Sequence, residues 1–252
     1  MILLLDIGNT HTHLGLANER RVVKHADIPT ALWPQAKAAE PVRRFAGRAK
    51  LDGVAACSVV PRVTPLARRA VLRLWPVEWL ELTHHTVRGI GMDYPHPETI
   101  GPDRLANAVA ARHHFGAPCV AVGLGTAATF SVVDSRGNFV GGLIAPGLGL
   151  VASSLHEKTA LLPKIEVRRI LHFIGRNTEE SMLAGALHGF RGLVKELICG
   201  LQRELNHPRL PVVATGGDAH LITSDLPEIT TVEPTLTLEG LRLTWLKRQT
   251  VS

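Results

Sequence analysis

The chain has 252 residues, of which 45% are hydrophobic and 20% charged, with 28 Lys+Arg against 22 Asp+Glu. That length allows one large domain or two modest ones, and the composition excludes a disordered chain. The net charge of +6 is dispersed in pairs such as Arg20-Arg21 and Arg68-Arg69, with four Trp, one Tyr and six Phe and no basic run between them, which argues against nucleic acid as a partner.

The opening run Met1 to Leu5 stops at Asp6, too short for a leader, and no apolar stretch approaches the roughly 20 residues of a membrane span. Three scattered cysteines, Cys57, Cys119 and Cys199, fit a reducing compartment. The expectation is a cytoplasmic protein with no membrane contact.

Ile2 to Leu5 reads as a buried strand, Asp6-Ile7-Gly8-Asn9-Thr10 as a turn, His11 to Ala17 as a second strand and Arg21 to Ile28 as a third. Val54 to Val60 is a strand. Pro65 to Leu74 is a helix, with Thr64 as its predicted N-cap. Asp103 to Phe115 is a helix stopped by Gly116, and a domain boundary falls near 116–118.

Residues 119–144 then repeat the opening plan of strand, glycine turn, strand, turn, strand. An offset of 117 places Gly8 on Gly125, Thr12 on Thr129 and Leu16 on Val133. The predicted domains are therefore 1–117 and 118–252. Residues 178–205 give the longest helical pattern, with Asn177 and Glu180 forming a capping box. Its seam of Leu183, Leu187, Phe190, Val194, Leu197 and Leu201 fits a helix buried in one domain. Apolar Met182 and Ile198 on other faces fit a homodimer interface instead. Pro211 to Ala214 is a strand leading to Thr215-Gly216-Gly217, and Leu238 to Arg248 is a closing helix.

Asp6 ends a buried strand, where a carboxylate can hold hydrated Mg²⁺. Gly8 permits close approach, and Asn9, Thr10 and Thr12 can donate to phosphate. The same residues also make an ordinary hairpin. Gly101-Pro102-Asp103-Arg104 feeds a helix start. Asp103 can take a proton from a substrate hydroxyl or simply cap the helix, and Arg104 can pair with an anion or lie on the surface. Tyr94, the one Tyr, lines a pocket or plugs its loop. Thr126 offers a hydroxyl to phosphate in the second glycine turn. Gly216-Gly217 offers bare backbone to a nucleoside, or an ordinary turn. The thirteen histidines show no structural zinc spacing.

These segments together resemble type III pantothenate kinase, a family of the acetate kinase/sugar kinase/actin superfamily. The likeness rests on Asp6-Ile7-Gly8-Asn9-Thr10, Ser58-Val59-Val60-Pro61, Tyr94, Gly101-Pro102-Asp103-Arg104, Gly125-Thr126-Ala127, Gly141 to Gly147, Leu155 to Pro163, Ile174 to Thr178 and Ala214 to Gly217. The resemblance implies an α/β fold of two RNase H-like (actin-like ATPase) domains facing across a cleft, usually paired as a homodimer. It implies phosphorylation of pantothenate by ATP to 4'-phosphopantothenate, the first step of coenzyme A biosynthesis.

By this likeness Asp6, Ile7, Gly8, Asn9, Thr10, His11, Thr12 and His13 bind ATP, with Thr126 from the second turn. Tyr94, Gly101, Pro102, Asp103 and Arg104 bind pantothenate, with Asp103 as proton acceptor and Thr178 completing the pocket from a second copy. Mg²⁺ and a monovalent cation, K⁺ or NH₄⁺, accompany ATP. The family places Asp before its second Gly-Thr, as Asp-x-Gly-Thr, where this chain has Gly123. Two expectations follow. One is an enzyme that works without the cation or with other oxygens beside it. The other is a catalytically impaired homologue acting as a ligand-binding or transcriptional regulator.

Overall fold

The computed structural model describes residues 1–35 and 38–248. In chain order the elements are β1 (Ile2–Ile7), β2 (His11–Ala17), β3 (Val22–Pro29), α1 (Ala39–Ala46), β4 (Gly53–Ser58), α2 (Thr64–Leu74), β5 (Glu78–Glu81), the two-residue β6 (Gly91–Met92) and α3 (Pro102–Phe115). There follow β7 (Cys119–Leu124), β8 (Ala127–Val133), β9 (Asn138–Pro146), α4 (Leu148–Lys158), α5 (Thr178–Glu204), β10 (Val212–Thr215), α6 (Ala219–Thr223), β11 (Thr231–Val232) and α7 (Leu236–Lys247). Met1–His114 and the chain from Thr235 onward form one unit, and Phe115–Pro234 forms the other.

The first unit is built on a sheet of order β3-β2-β1-β4-β5, with β1 antiparallel to β2 and parallel to β4. Side chains alternate across it. Leu3, Leu5 and Ile7 join Leu14, Leu16, Val54 and Ala56 in a core closed by Val42 and Phe45 of α1 and Ala67 and Val71 of α2. The opposite face carries Ile2, Leu4 and Asp6, and α7 packs there. Gly53 is what lets it in, because a Cβ at that position would lie 1.8 Å from the Trp245 ring. The predicted split, 118–252 as one continuous half, thus differs in one respect. The closing helix belongs with the first sheet, where its apolar residues complete the second face.

In the second unit the strands run β11-β10-β7-β8-β9, with the same antiparallel meander and parallel partner. The duplication extends to an irregularity, since the register slips between Leu16/Ala17 in one meander and Val132/Val133 in the other. The simple offset of 117 fails after the turn. Asp6 pairs with His13, but Gly123 pairs with Thr129, so the second hairpin is one residue shorter. Thr12 therefore corresponds to Ala128, not Thr129, while Gly123 stands where the first unit carries Asp6.

Helix α5 is spent on its own unit's core. Leu183, Leu187, Phe190, Val194 and Leu201 are buried there, and so are Met182 and Ile198, which leaves those two no free apolar face. Its start is capped as the sequence predicts, with Glu180 N–H donating to Asn177 Oδ1 at 2.8 Å. The return arm differs, because Glu180 Oε2 accepts from Arg176 N–H at 2.9 Å. At α2 the N-cap is Val63, and Thr64 lies inside the helix with its hydroxyl on Ser58 Oγ and Val60 O. The sequence reading missed α1 and the edge strand β5, whose patterns are short and mixed.

Candidate active site

Four polar residues occupy one rung of the first sheet. Asp27 on β3 pairs with His13 on β2, His13 with Asp6 on β1, and Asp6 with Cys57 on β4. Residues directly opposite across paired strands share a face. The rung therefore sits on the side away from the Leu3–Leu5–Ile7 core. His13 Nδ1 lies 2.6 Å from Asp27 Oδ1, and the Cys57 thiol donates to Asp6 Oδ1 at 3.3 Å.

Asp6 keeps partial solvent access although protein surrounds it. Burial pushes its carboxyl up to about 6; His13 pulls it down, the negative charge of Asp103 pushes it up again, and the Cys57 hydrogen bond lowers it. The same burial, with Asp6 beside it, raises Cys57 well above the usual thiol range, so it stays a proton donor.

Asp103 is thus within electrostatic reach of Asp6. It is the second residue of α3, and Gly101 makes room for it, since a Cβ there would lie 2.6 Å from Asp103 Oδ1. Burial raises its carboxyl above the ordinary range, opposed by the backbone N–H and guanidinium of Arg104 and by its own N–H. Asp103 lies inside the first turn of α3, where its carboxyl meets backbone N–H groups and keeps a raised proton affinity. Burial lowers the Arg104 guanidinium, while Asp103 and Tyr94 support its charge. Tyr94 thereby lies within electrostatic range of Arg104.

The first glycine turn is pinned from beneath. Gly8 N–H donates to His11 O, and Thr30 N–H donates to Thr10 O. Trp33 Nε1–H donates to Thr12 Oγ1 at 2.9 Å, Thr12 shares a 3.1 Å bond with Thr30 Oγ1, and Thr30 donates to Gly8 O at 2.7 Å. Each hydroxyl has one hydrogen, so the chain runs Trp33 to Thr12 to Thr30 to Gly8. This corrects the reading of Thr12 as a donor to phosphate: it is fully buried, on the face opposite Asp6, and its hydroxyl holds the loop's shape. Ile7 is likewise core. Asn9, Thr10 and His11 remain exposed on the turn.

In the second unit, Gly125 and the exposed Thr126 form the equivalent turn. Gly147, the N-cap of α4, donates to Thr126 O, and a Cβ on it would lie 2.0 Å from Gly125 O. Asp218 N–H, after Gly216-Gly217, donates to Leu124 O. Backbone from three segments thus gathers at the ends of β7 and β10, with free N–H groups of α4 nearby. Thr178 is the exposed first residue of α5 in this unit. His156 is exposed and bonds Leu162 O through Nδ1, which ties α4 to the following loop. The sequence reading missed Asp27, Thr30 and Cys57. Strand alternation puts Cys57 on a definite face, but only the pairing shows that this face is also that of Asp6.

Two α/β units of one duplicated topology make a fold shared with solved structures described as sugar kinases: an N-acetylglucosamine kinase from Porphyromonas gingivalis has a TM-score of 0.51 at 16% identity, covering 100% of each chain, and an N-acetylmannosamine kinase from Listeria monocytogenes has one of 0.54 at 11% identity, covering 98% of this chain and 99% of that one. The family described as type III pantothenate kinase matches residues 2–199. The type III pantothenate kinase of Methylacidiphilum infernorum is 42% identical over 245 residues, covering 96% of this chain and 87% of that one. That of Akkermansia muciniphila is 41% identical over 249 residues, covering 96% of each. Among solved structures, a Campylobacter jejuni protein described as a Baf family transcriptional activator has a TM-score of 0.62 at 16% identity, covering 99% of this chain and 100% of that one. The chain belongs to the type III pantothenate kinase family.

Proposed function

We propose that this chain transfers the γ-phosphoryl group of ATP to the primary hydroxyl of pantothenate, giving 4'-phosphopantothenate and ADP. The observation that carries this reading is the placement in one unit of two buried carboxylates, Asp6 near the end of β1 and Asp103 at the start of α3, with the Asp103 charge close enough to raise Asp6. Asp103 takes the hydroxyl proton as the oxygen attacks phosphorus, a role suited to a carboxyl that burial raises above its ordinary range. Arg104 and Tyr94 orient pantothenate, and Arg104 supplies charge for its carboxylate. The Asn9 and Thr10 N–H groups of the pinned first turn receive phosphate oxygens.

The residues fit Mg²⁺. A buried carboxylate held near 6 gains from a cation, and one or two carboxylates with substrate phosphates are the usual Mg²⁺ donors. Asp6 would hold it, and the ion would supply charge neutralisation at the phosphates. The residues do not fit a monovalent cation in the same way, because Gly123 offers no carboxylate. The regulator reading is not favoured, since Asp6, Asp103 and Arg104 are all in place and the curated relatives are kinases.

Purified protein with ATP, Mg²⁺ and pantothenate is expected to form ADP in a pantothenate-dependent manner, with little change on adding K⁺ or NH₄⁺. Absence of pantothenate-dependent ADP from folded protein, at every cation concentration, would remove the reading. We also propose a homodimer. It is supported by large apolar side chains left exposed in the second unit: Ile144, Leu161, Leu171, Phe173 and Ile174. Light scattering is expected to give twice the chain mass, and a monomer at assay concentration would refute it.

A further inference from the structure

Asp6 is flanked in its rung by two neighbours, and only one of them bonds it. His13, on β2, gives Nδ1 to Asp27. Cys57, on β4, gives its thiol to Asp6 Oδ1 at 3.3 Å. Cys57 is fully buried, so its rotamer is fixed by packing and its S–H has no water to turn to. One lone pair of Oδ1 is thereby engaged, which sets the rotation of the carboxylate and with it the direction of Oδ2.

We infer that Cys57 is a positioning residue, whose thiol fixes the Asp6 carboxylate so that Oδ2 faces the phosphate site. The geometry supports this in two ways. The strand pairing Asp6↔Cys57 places the sulfur directly beside the carboxylate with no intervening loop. A strand-borne donor also holds its acceptor more tightly than one on a loop. A thiol suits the place because it is a compact donor that pays little for full burial. This inference rests on the phosphotransfer reading for its consequence, but the contact itself can be tested without turnover.

Two measurements test it. Cys57→Ala is expected to lower kcat about tenfold, the equivalent of about 1.4 kcal/mol, and to raise the Mg²⁺ concentration needed for half-maximal rate while the KM for pantothenate holds. Cys57→Ser, which restores a donor, is expected to recover most of the loss. Equal activity of the alanine variant and the wild type would overturn the inference, and so would a serine variant as poor as alanine with the fold intact. The second measurement is the S–H stretching band in the Raman spectrum of the ligand-free protein, assigned to Cys57 by its loss in Cys57→Ser. It is expected at a lowered, hydrogen-bonded frequency. A band at the frequency of an unbonded thiol overturns the inference whatever the turnover. Failure of the wild-type chain to phosphorylate pantothenate strikes the proposed activity and leaves this band as the test of the contact.

Discussion

Asp103→Asn is expected to lower kcat by about two to four orders of magnitude while leaving ATP affinity unchanged. The amide keeps the shape of the side chain and can still accept the Arg104 N–H that steadies the start of α3. What it loses is the capacity to take a proton from the attacking hydroxyl. Because the loss falls on the reaction step, kcat and kcat/KM should fall together. The pH profile gives a second readout. Asp103 is raised by burial, and Asp6 sits near 6 beside it. Both carboxyls are raised by burial, so the rising limb of kcat/KM should lie above the usual carboxylate range in the wild type. That limb should change shape in the variant. Turnover within a factor of about three of wild type would take the base role away from Asp103.

Asp6→Asn should also stop turnover, and it is expected to make the ligand-free protein more stable at pH 8. The sign follows from the direction of the shift. The Asp6 carboxyl is raised from its ordinary 3.8 to about 6 in the folded chain. Its contribution to stability is therefore fully present below about pH 4 and is lost as pH rises through about 6. The gap corresponds to about 3 kcal/mol at 1.36 kcal/mol per pH unit, and the residual solvent access of Asp6 brings that closer to about 2 kcal/mol.

For a chain of this length, that converts to a melting temperature roughly 4–8 °C higher for the variant at pH 8. The advantage should shrink at pH 4.5, where the wild-type carboxyl is mostly protonated. Thermal melts of both proteins at the two pH values, without nucleotide or divalent metal, decide the matter. A variant less stable than wild type at pH 8 would mean that Asp6 is compensated within the fold and is not waiting for a cation. The expected result is a trade in which the chain keeps a destabilising charge because the reaction needs it.

Residues 1–28 and 119–144 announced their meanders because apolar runs broken by Gly and polar turns admit few other structures. The position of the two glycine turns followed from the same punctuation. Asn177 announced the start of α5, since a side-chain acceptor before a helical run is local chemistry. Asp6 and Asp103 stood out for the same reason, one at a strand end and one at a helix start. Local pattern did not suffice for α1 and β5, where charged and apolar residues mix over a few positions and tertiary packing decides the conformation.

The amino-acid sequence alone determined the α/β class, the duplicated plan and the residue types available for chemistry, because these depend on periodicity and turn preference over a few residues. The tertiary structure decided which of them meet. Strand pairing put Asp27, His13, Asp6 and Cys57 on a single rung, and it turned Thr12 to the opposite face to brace the loop beneath Gly8. The return of α7 to the first sheet closed the face on which Asp6 lies. Those outcomes come from register and from contacts between residues far apart in the chain. A shift of one residue in a strand reverses every side chain it carries.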